Sequence, residues 1–237
     1  MELNKNCVIV GASGGIGSEI AKKISENNFN LFLIGRNKKK LSKLRDTIKG
    51  KNDLIRVEIE TVDLTDKIEI MKIIKIIKKT MGPISIIINA AGVFYINPIE
   101  KISLKEIDDI FKINIIAPLI FCKEFSKDMK KRKWGRIVNI GSSSSYSGFK
   151  NSSVYCSTKH AILGLSRALF EELKDLNIRT YCISPGSTKT PMGKLSKEQN
   201  FETFIDARDI AEYVNFIIKF DSQAISEEVR LTRMKIE

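Results

Sequence analysis

The stretch from residue 142 to residue 159 contains three side chains that could transfer or hold a proton. Tyr155 and Lys159 are four positions apart, so on a helix they share one face, one turn apart. A lysine ammonium beside a phenol favours the phenolate, which predicts a Tyr155 pKa lowered from about 10 towards neutrality. Ser142 follows a strand-like run and could offer its hydroxyl to the same substrate oxygen. The stretch predicts an acid–base group that works near pH 7, although Tyr-x-x-x-Lys alone also occurs by chance in helices.

A glycine-rich turn stands between a predicted strand and a predicted helix near the start of the chain. The apolar run 5–10 predicts a buried strand, and GASGGIG follows it directly, before a helical pattern over 16–25. In this context Gly11 permits a tight turn, Gly15 lets backbone approach a pyrophosphate, and Gly17 allows close helix packing. The helix N-terminus would face the phosphate charge. The pattern predicts dinucleotide binding; a flexible turn without a ligand is the alternative.

The residues after the second predicted strand, at 31–34, indicate which dinucleotide binds. An NAD site would place Asp or Glu here to hold the ribose hydroxyls, but the chain has a glycine and then Arg36. A guanidinium can stack on adenine and pair with a 2′-phosphate, so Arg36 predicts NADP(H) in preference to NAD(H). Lys38 is either a second phosphate contact or a solvated helix start. Asp63 follows a third strand, predicted over 54–59, and either accepts from the adenine amino group or caps the next helix.

The middle of the chain predicts a cofactor-facing turn and an interrupted helix. A fourth strand over 84–88 leads into the small residues 89–92, which let the backbone lie beside a cofactor. A helix predicted over 104–131 contains Pro118, which has no N–H to donate to the carbonyl of Asn114. The helix is therefore expected to kink and to free that carbonyl for water or another donor. We interpret this as a functional water site; a purely structural kink is the alternative.

Strands and helices continue to alternate along the rest of the chain. Further strands are predicted over 136–140, 180–183 and 228–232, and further helices over 66–79, 153–173 and 209–220. The polar segment 191–207 predicts a mobile lid. No linker or repeat interrupts the alternation, so we expect residues 1–237 to form one α/β domain, a doubly wound parallel sheet with helices on both faces. Ligands of such sheets bind at the carboxyl ends of the strands. Six candidate residues follow predicted strand ends: Gly11, Arg36, Asp63, Asn89, Ser142 and Pro185.

The composition narrows the possible partners. The 237 residues include 40 basic and 28 acidic ones, a net charge of +12 that could serve nucleic acid or an acidic partner. Most of the excess is dispersed lysine without interleaved aromatic residues, so solvated helix faces are the favoured interpretation and no nucleic acid is expected. No apolar run approaches a bilayer span, and the first residues have no signal-peptide layout. We therefore expect a cytoplasmic protein without a membrane partner.

Cysteine and histidine usage argues against metal and hydrolase chemistry. The four cysteines are scattered without metal-ligand spacing, so no metal site is expected. They are expected to be buried thiols, with Cys156 more accessible than the others because it adjoins Tyr155. The single histidine, His160, directly follows Lys159 and is expected at a plain helix position, which argues against a Ser-His-Asp hydrolase.

Taken together, these motifs resemble the short-chain dehydrogenase/reductase family over nearly the whole chain. GASGGIG resembles its glycine turn, NAAG at 89–92 its Asn-Ala-Gly motif, and Asn114 its helix-interrupting asparagine. Ser142 with YCSTK resembles the catalytic segment, in which the serine stands thirteen residues before the tyrosine. Pro185-Gly186 with Thr190 resembles the turn that flanks the nicotinamide.

The resemblance implies a Rossmann-like fold, a nicotinamide cofactor and a small carbonyl or alcohol substrate. It also implies a catalytic tetrad of Asn114, Ser142, Tyr155 and Lys159. In that tetrad Tyr155 gives its proton to the carbonyl oxygen, which Ser142 steadies. Lys159 holds the nicotinamide ribose, and a water at Asn114 links it to solvent. The expected cofactor-binding residues are Gly11, Ser13, Gly15, Ile16, Gly17, Arg36, Asp63, Leu64, Asn89, Ala90, Gly92, Tyr155, Lys159, Pro185, Gly186, Thr188 and Thr190.

The resemblance further implies a homodimer or homotetramer, formed through the apolar helices 104–131 and 153–173.

Three departures from the family pattern bear on which function is expected. Val10 replaces its usual threonine, Gly14 stands where NADP enzymes often carry a basic residue, and the C-terminal EEVRLTRMKIE lacks the Asp-Gly-Gly ending of 3-oxoacyl-carrier-protein reductases. The leading interpretation is an NADPH-dependent carbonyl reductase, or the reverse alcohol dehydrogenase.

Two alternatives stay open. The first is a 3-oxoacyl-carrier-protein reductase, whose acidic carrier protein would meet the basic run 130–133. The second is a non-catalytic NADP-sensing protein on the same fold.

Overall fold

Seven parallel strands form one sheet in the computed structural model, which describes residues 6–196 and 198–235. The strands are β1 Asn6–Val10, β2 Asn30–Gly35, β3 Val57–Thr61, β4 Ile86–Asn89, β5 Gly135–Ile140, β6 Ile178–Pro185 and β7 Glu228–Leu231. Their order across the sheet is β3-β2-β1-β4-β5-β6-β7, and every neighbouring pair is parallel. The predicted doubly wound parallel sheet is confirmed.

Helices cover both faces of this sheet. They are α1 Gly15–Ser25, α2 Lys38–Lys49, α3 Lys67–Met81, α4 Leu104–Phe111, α5 Ala117–Arg132, α6 Ser153–Leu173 and α7 Ala207–Lys219. Successive side chains of a strand point to opposite faces, so β1 contributes Cys7 and Ile9 to one core and Val8 and Val10 to the other. The first core packs beneath α1, α2 and α7, and the second beneath α3 and α5. Because both faces are buried, the strands read as continuous apolar runs.

The strand order reverses between β1 and β4, and the two turns that follow these strands pack against each other. Gly11, directly after β1, has a φ of +91°, and a Cβ there would lie 2.4 Å from the backbone nitrogen of Ala91. Only glycine combines that φ with such a close backbone approach. In open parallel sheets, ligands bind beside the carboxyl ends of the strands at this point of reversal. The glycine turn therefore lies where the fold itself favours a binding cleft.

Two predicted elements differ from the structure. The third strand was expected over 54–59 but runs Val57–Thr61, because Leu54 is 86% exposed and begins no pairing with β2. The long helix expected over 104–131 is interrupted: α4 ends at Phe111, a π-helical segment covers Lys112–Ile116, and α5 follows. The expected break near Pro118 is thus present, as a π segment between two helices instead of a kink in one.

The remaining boundaries agree closely with the sequence analysis. The expected start of the first strand at Lys5 lies outside the described residues. The segment expected as a lid contains two short 3-10 turns, Gly193–Leu195 and Phe201–Thr203. Within residues 6–196 and 198–235, no helix is long and apolar enough to cross a membrane.

Candidate active site

One large cleft, about 1670 Å³ in volume, opens at the carboxyl edge of the sheet. Residues after every one of the seven strands line it, as the sheet topology requires. The expected site residues that line it are Gly11, Ser13, Gly15, Ile16, Arg36, Asp63, Leu64, Ala90, Gly92, Ser142, Tyr155, Lys159, Pro185, Gly186, Thr188 and Thr190. Three expected residues, Gly17, Asn89 and Asn114, are not part of its wall.

The predicted acid–base group lies on the floor of this cleft. Tyr155 and Lys159 are one turn apart on α6, and the Lys159 Nζ lies 5.6 Å from the centre of the Tyr155 ring. Phe94 packs against that ring with 4.5 Å between ring centres and a tilt of 55°. Ser142, just after β5, lines the cleft as well, and its Oγ accepts a hydrogen bond from the Ser144 N–H at 3.1 Å. The three predicted side chains are therefore brought together.

The predicted direction of the Tyr155 pKa is wrong for this structure. Burial raises the pKa of Tyr155 to about 12, and an interaction with the Ser142 side chain offsets only part of that rise. Burial also lowers the pKa of Lys159 to about 8, although its Nζ donates to the carbonyl of Ile140 at 2.8 Å. Removal of water disfavours the charged form of both groups. Tyr155 is therefore a phenol at neutral pH, the form that can donate a proton.

Asn114 holds the site together without lining the cleft. It lies in the π segment, 3% exposed, where its Oδ1 accepts from the N–H of Val93 at 2.9 Å. Its Nδ2 donates to the Val93 carbonyl and to Thr158 Oγ1, both at 3.1 Å. Asn114 thus joins the segment after β4 to the α6 turn that carries Lys159. The expected water at its backbone carbonyl stays a prediction.

Asn89 was expected to contact the cofactor, but its side chain is part of the core. It is 3% exposed, and its Nδ2 donates to Asn139 Oδ1 at 2.8 Å. Asn139 in turn donates to Ser166 Oγ at 2.9 Å, so one chain of hydrogen bonds joins β4, β5 and α6. Among the described residues the Asn89 Oδ1 has no partner. Only the strand register, which places Asn89 beside Asn139, reveals this structural role.

Gly17 also has a packing role, as the glycine pattern predicted. A Cβ at Gly17 would lie 2.4 Å from the carbonyl oxygen of Gly11, so only glycine lets α1 start so close to the turn.

The far end of the cleft carries positive charge. Arg36 is exposed and lines a side cleft of about 490 Å³ with Ser13, Gly14, Asn37 and Lys40. Lys38 was the candidate for a second cation here, but in the described structure Lys40 takes that place. Asn37 caps α2, because its Oδ1 accepts a hydrogen bond from the Lys40 N–H at 2.9 Å. The first turn of the helix therefore begins at a fixed residue, which decides which lysine faces the cleft.

Asp63 does not cap a helix, which removes one of its two interpretations. The cap of α3 is Asp66, whose carboxylate accepts from the N–H groups of Ile68 and Glu69. Asp63 accepts from the backbone N–H and the hydroxyl of Thr65, each at 2.8 Å, and these bonds lower its pKa. Its charged carboxylate lines the cleft.

All four cysteines are buried free thiols, as expected, and Cys156 is slightly more accessible than the other three, which are 0–1% exposed. Cys156 is 6% exposed and lies 3.4 Å from Ser152 Oγ. Within the described part of the chain, no group of three His, Cys, Asp or Glu side chains could hold a metal ion.

The glycine turn fits a phosphate group. The first turn of α1 contains no acidic side chain. Its N-cap is Gly14, which has no side chain to accept hydrogen bonds from the first-turn N–H groups. Those N–H groups and the positive end of the helix dipole are therefore open to an anion. Together with Arg36 and Lys40 at one end and Tyr155 at the other, the wall suits an extended dinucleotide.

The burial of Lys159 predicts a measurable pH dependence of stability. Its folded pKa of about 8 lies below the 10.5 of an exposed lysine, so between these values the unfolded chain binds more protons. Wild-type stability should therefore rise with pH from 8 to 10.5, by on the order of 3 kcal/mol relative to Lys159→Met. Urea unfolding of both proteins from pH 7 to pH 10 measures this difference. Parallel stability curves would contradict the burial of a charged Lys159.

Comparison with known proteins identifies the family of the chain. The family model for short chain dehydrogenase matches residues 5–200. An uncharacterized oxidoreductase of Staphylococcus aureus strain MW2 is 29% identical over 226 residues, 95% of this chain and 96% of the relative. One from Staphylococcus epidermidis is 28% identical over 227 residues, 96% of each chain.

Solved structures share the fold. A metagenomic short-chain oxidoreductase in complex with NADP superposes with a TM-score of 0.86 at 24% identity, covering 98% of each chain. An alcohol dehydrogenase from the archaeon Thermococcus sibiricus, complexed with 5-hydroxy-NADP, gives 0.87 at 24% identity and covers 96% of this chain and 95% of its own. The cleft, its acid–base group and the family match lead to one conclusion: the chain belongs to the short-chain dehydrogenase family of oxidoreductases.

Proposed function

We propose that the protein is an NADPH-dependent carbonyl reductase, or in the reverse direction an alcohol dehydrogenase. The observation that carries the proposal is the meeting of Tyr155, Ser142 and Lys159 on the floor of one cleft. A nicotinamide cofactor would supply the hydride in this reaction. Tyr155 gives its phenolic proton to the carbonyl oxygen, and the Ser142 hydroxyl donates a hydrogen bond to the same oxygen. Lys159, charged below its pKa of about 8, stabilises the negative charge left on Tyr155.

The protonation states favour reduction at neutral pH. With its pKa raised to about 12, Tyr155 carries the proton that reduction consumes. Alcohol oxidation needs the phenolate as the base, so its rate should rise with pH towards the pKa of Tyr155. Asn114 positions Lys159 through Val93 and Thr158 instead of contacting the reacting atoms.

The preference for NADPH rests on the cationic side cleft. Among the described residues, no carboxylate lines the side cleft, where it could hold a ribose 2′-hydroxyl, and Arg36 and Lys40 both suit a 2′-phosphate. Asp63 lines the cleft nearby and would hold the adenine amino group. The two solved structures described above were determined with NADP or a derivative of it, which supports the same choice.

The position of the basic run 130–133 weakens the alternative of a 3-oxoacyl-carrier-protein reductase. The basic run 130–133 ends α5 just before β5 begins, so it lies at the amino edge of the sheet. The cleft opens at the opposite edge, about 20 Å away along a six-residue strand. Arg132 also forms hydrogen bonds within the chain, since its guanidinium donates to the carbonyls of Ile84 and Asp128. A small free carbonyl compound is therefore the preferred substrate.

We also propose a homo-oligomer, a dimer or tetramer, that buries apolar residues on α4 to α6. Phe111 and Leu119 are 36% and 42% exposed there, and Leu165 and Phe170 on α6 are partly exposed. Exposed apolar side chains on neighbouring helices are typical of a subunit interface.

Tyr155→Phe should lower the rate of carbonyl reduction by about 100- to 10,000-fold, because only the proton donor is removed. NADPH binding should survive, since the ring keeps its contact with Phe94. Loss of NADPH absorbance with a panel of aldehydes and ketones measures turnover, and fluorescence titration measures binding. Tyr146→Phe is the matched control, because the Tyr146 hydroxyl bonds to Glu228 outside the cleft. A Tyr155→Phe rate within about tenfold of the wild type would refute the mechanism, and an inert wild type would favour a sensor.

Arg36→Asp should reverse the cofactor preference. A charge-assisted arginine–phosphate contact contributes about 1.5–3 kcal/mol, which corresponds to roughly 10- to 100-fold in favour of NADPH. The variant should repel the 2′-phosphate and offer NADH an acceptor for its ribose. Lys38→Asp changes the same charge outside the cleft wall and should leave the preference almost unchanged. Equal use of NADH and NADPH by the wild type would contradict the role of Arg36.

Leu119→Lys should dissociate the oligomer, because it places a charge in the proposed interface. Light scattering at micromolar concentration should give a smaller species than the wild type. Leu54→Lys, at an 86% exposed loop position away from these helices, should leave the mass unchanged. A monomeric wild type would contradict the proposed assembly.

A further inference from the structure

Arg233 is a cation in the cleft wall whose hydrogen-bond partners are neutral. It is half-buried, and one guanidinium nitrogen donates to Thr203 Oγ1 at 3.0 Å while another donates to Gln199 Oε1 at 2.9 Å. Among the residues that the structure describes, no carboxylate forms an ion pair with it. By contrast, Arg136 and Arg179 pair with Asp221. A half-buried guanidinium without a negative partner gains from an incoming anion.

The backbone places Arg233 beside the reacting end of the cleft. Strand β7 pairs with β6 so that Leu231 stands next to Pro185, and the N–H of Gly186 donates to the Leu231 carbonyl at 2.8 Å. Arg233 follows two residues later. Its guanidinium lies 5.2 Å from the ring centre of the buried Phe204, which fixes its position over the 198–204 segment. The cation is thus held by packing as well as by hydrogen bonds.

The rim of the same cleft carries exposed apolar side chains. Four of them are exposed by 36% to 52%: Ile96, Phe149, Met192 and Leu195. Two exposed side chains of opposite charge, Lys150 and Glu198, also line the cleft. Arg233 differs from both because it is half-buried between neutral hydrogen-bond partners, so an anionic group of a ligand can neutralise it there. The combination suits a molecule with an apolar body and one anionic end.

We propose that Arg233 binds a carboxylate group of the carbonyl substrate, so that the enzyme acts on oxo acids. The planar guanidinium would exchange its bonds to Thr203 and Gln199 for two charge-assisted bonds to the carboxylate. The carboxylate would hold the carbonyl group in register with Tyr155. Arg233 touches no reacting atom in this arrangement, so it determines specificity. The inference deepens the proposed function and rests on it.

The test compares acids with their neutral amides. The probes are 2-oxohexanoate, 4-oxohexanoate and 5-oxohexanoate, each beside the corresponding amide, which keeps the shape and removes the charge. For at least one pair, the wild type should show kcat/KM about 10- to 100-fold higher for the acid. Arg233→Gln should abolish that ratio, mainly through the KM of the acid, and should change amide turnover less than about threefold. Arg230→Gln, on β7 three residues before Arg233 but outside the cleft wall, should keep the ratio.

Two results would overturn the inference while leaving carbonyl reduction intact. One is wild-type turnover of amides as efficient as that of the acids. The other is an equal loss for acids and amides in Arg233→Gln, which would show that Arg233 only ties the C-terminal segment to the 198–204 segment.

If no probe is turned over, the proposed function fails separately, and binding still tests Arg233. In the presence of NADP, an oxo acid should raise the Tm of the wild type but not that of Arg233→Gln. Equal shifts in both proteins, or none in the wild type, would refute carboxylate binding.

Discussion

The buried ammonium group of Lys159 is the constraint around which the site is built. Its Nζ donates to the carbonyl of Ile140 at the end of β5, which joins the catalytic helix to the strand that carries Ser142. Burial of this cation opposes folding, as its lowered pKa shows. The same burial places a positive charge beneath the Tyr155 ring in a poorly solvated setting, where charge interacts strongly with a developing phenolate. The protein thus accepts an unfavourable residue at the one place where its charge is useful.

Neutral amide side chains keep this group in place. Asn114 joins the backbone at Val93 to Thr158, and the chain from Asn89 through Asn139 to Ser166 joins two central strands to α6. Both links are buried, so breaking either one would leave an unpaired polar group away from water, which costs free energy. The hydrogen bonds therefore disfavour other positions of α6. The π segment is the local distortion that turns Asn114 inward. The geometry of the candidate site thus depends on residues that do not line the cleft, among them Asn89 and Asn114.

The cleft has a cation at each end, and these ends have different surroundings. Arg36 and Lys40 stand in an exposed side cleft, where solvent screens them and a doubly charged phosphate is the suitable partner. Arg233 is half-buried against Phe204 between neutral oxygens, in a cleft whose rim carries exposed apolar side chains. A single planar anion on an apolar body suits that environment better. In the proposed function, this contrast would separate cofactor recognition from substrate recognition within one continuous wall.

The amino-acid sequence by itself determined the parallel sheet, the glycine turn and the membership of Ser142, Tyr155 and Lys159 in one site. These features depend on local spacing: a period that marks strands and helices, a glycine pattern, and two residues one turn apart. The break near Pro118 was also predictable, because a missing N–H is a property of one residue.

Other features were decided only by the tertiary structure. The direction of the Tyr155 pKa depends on how much water packing removes, which four-residue spacing does not report. The structural role of Asn89 depends on its register with Asn139, which is 50 residues away in the chain. The selection of Lys40 over Lys38, and the approach of Arg233 to Gln199 and Thr203, depend on how a helix turns and where the last strand ends. Each is a relation between distant segments, so only packing establishes it.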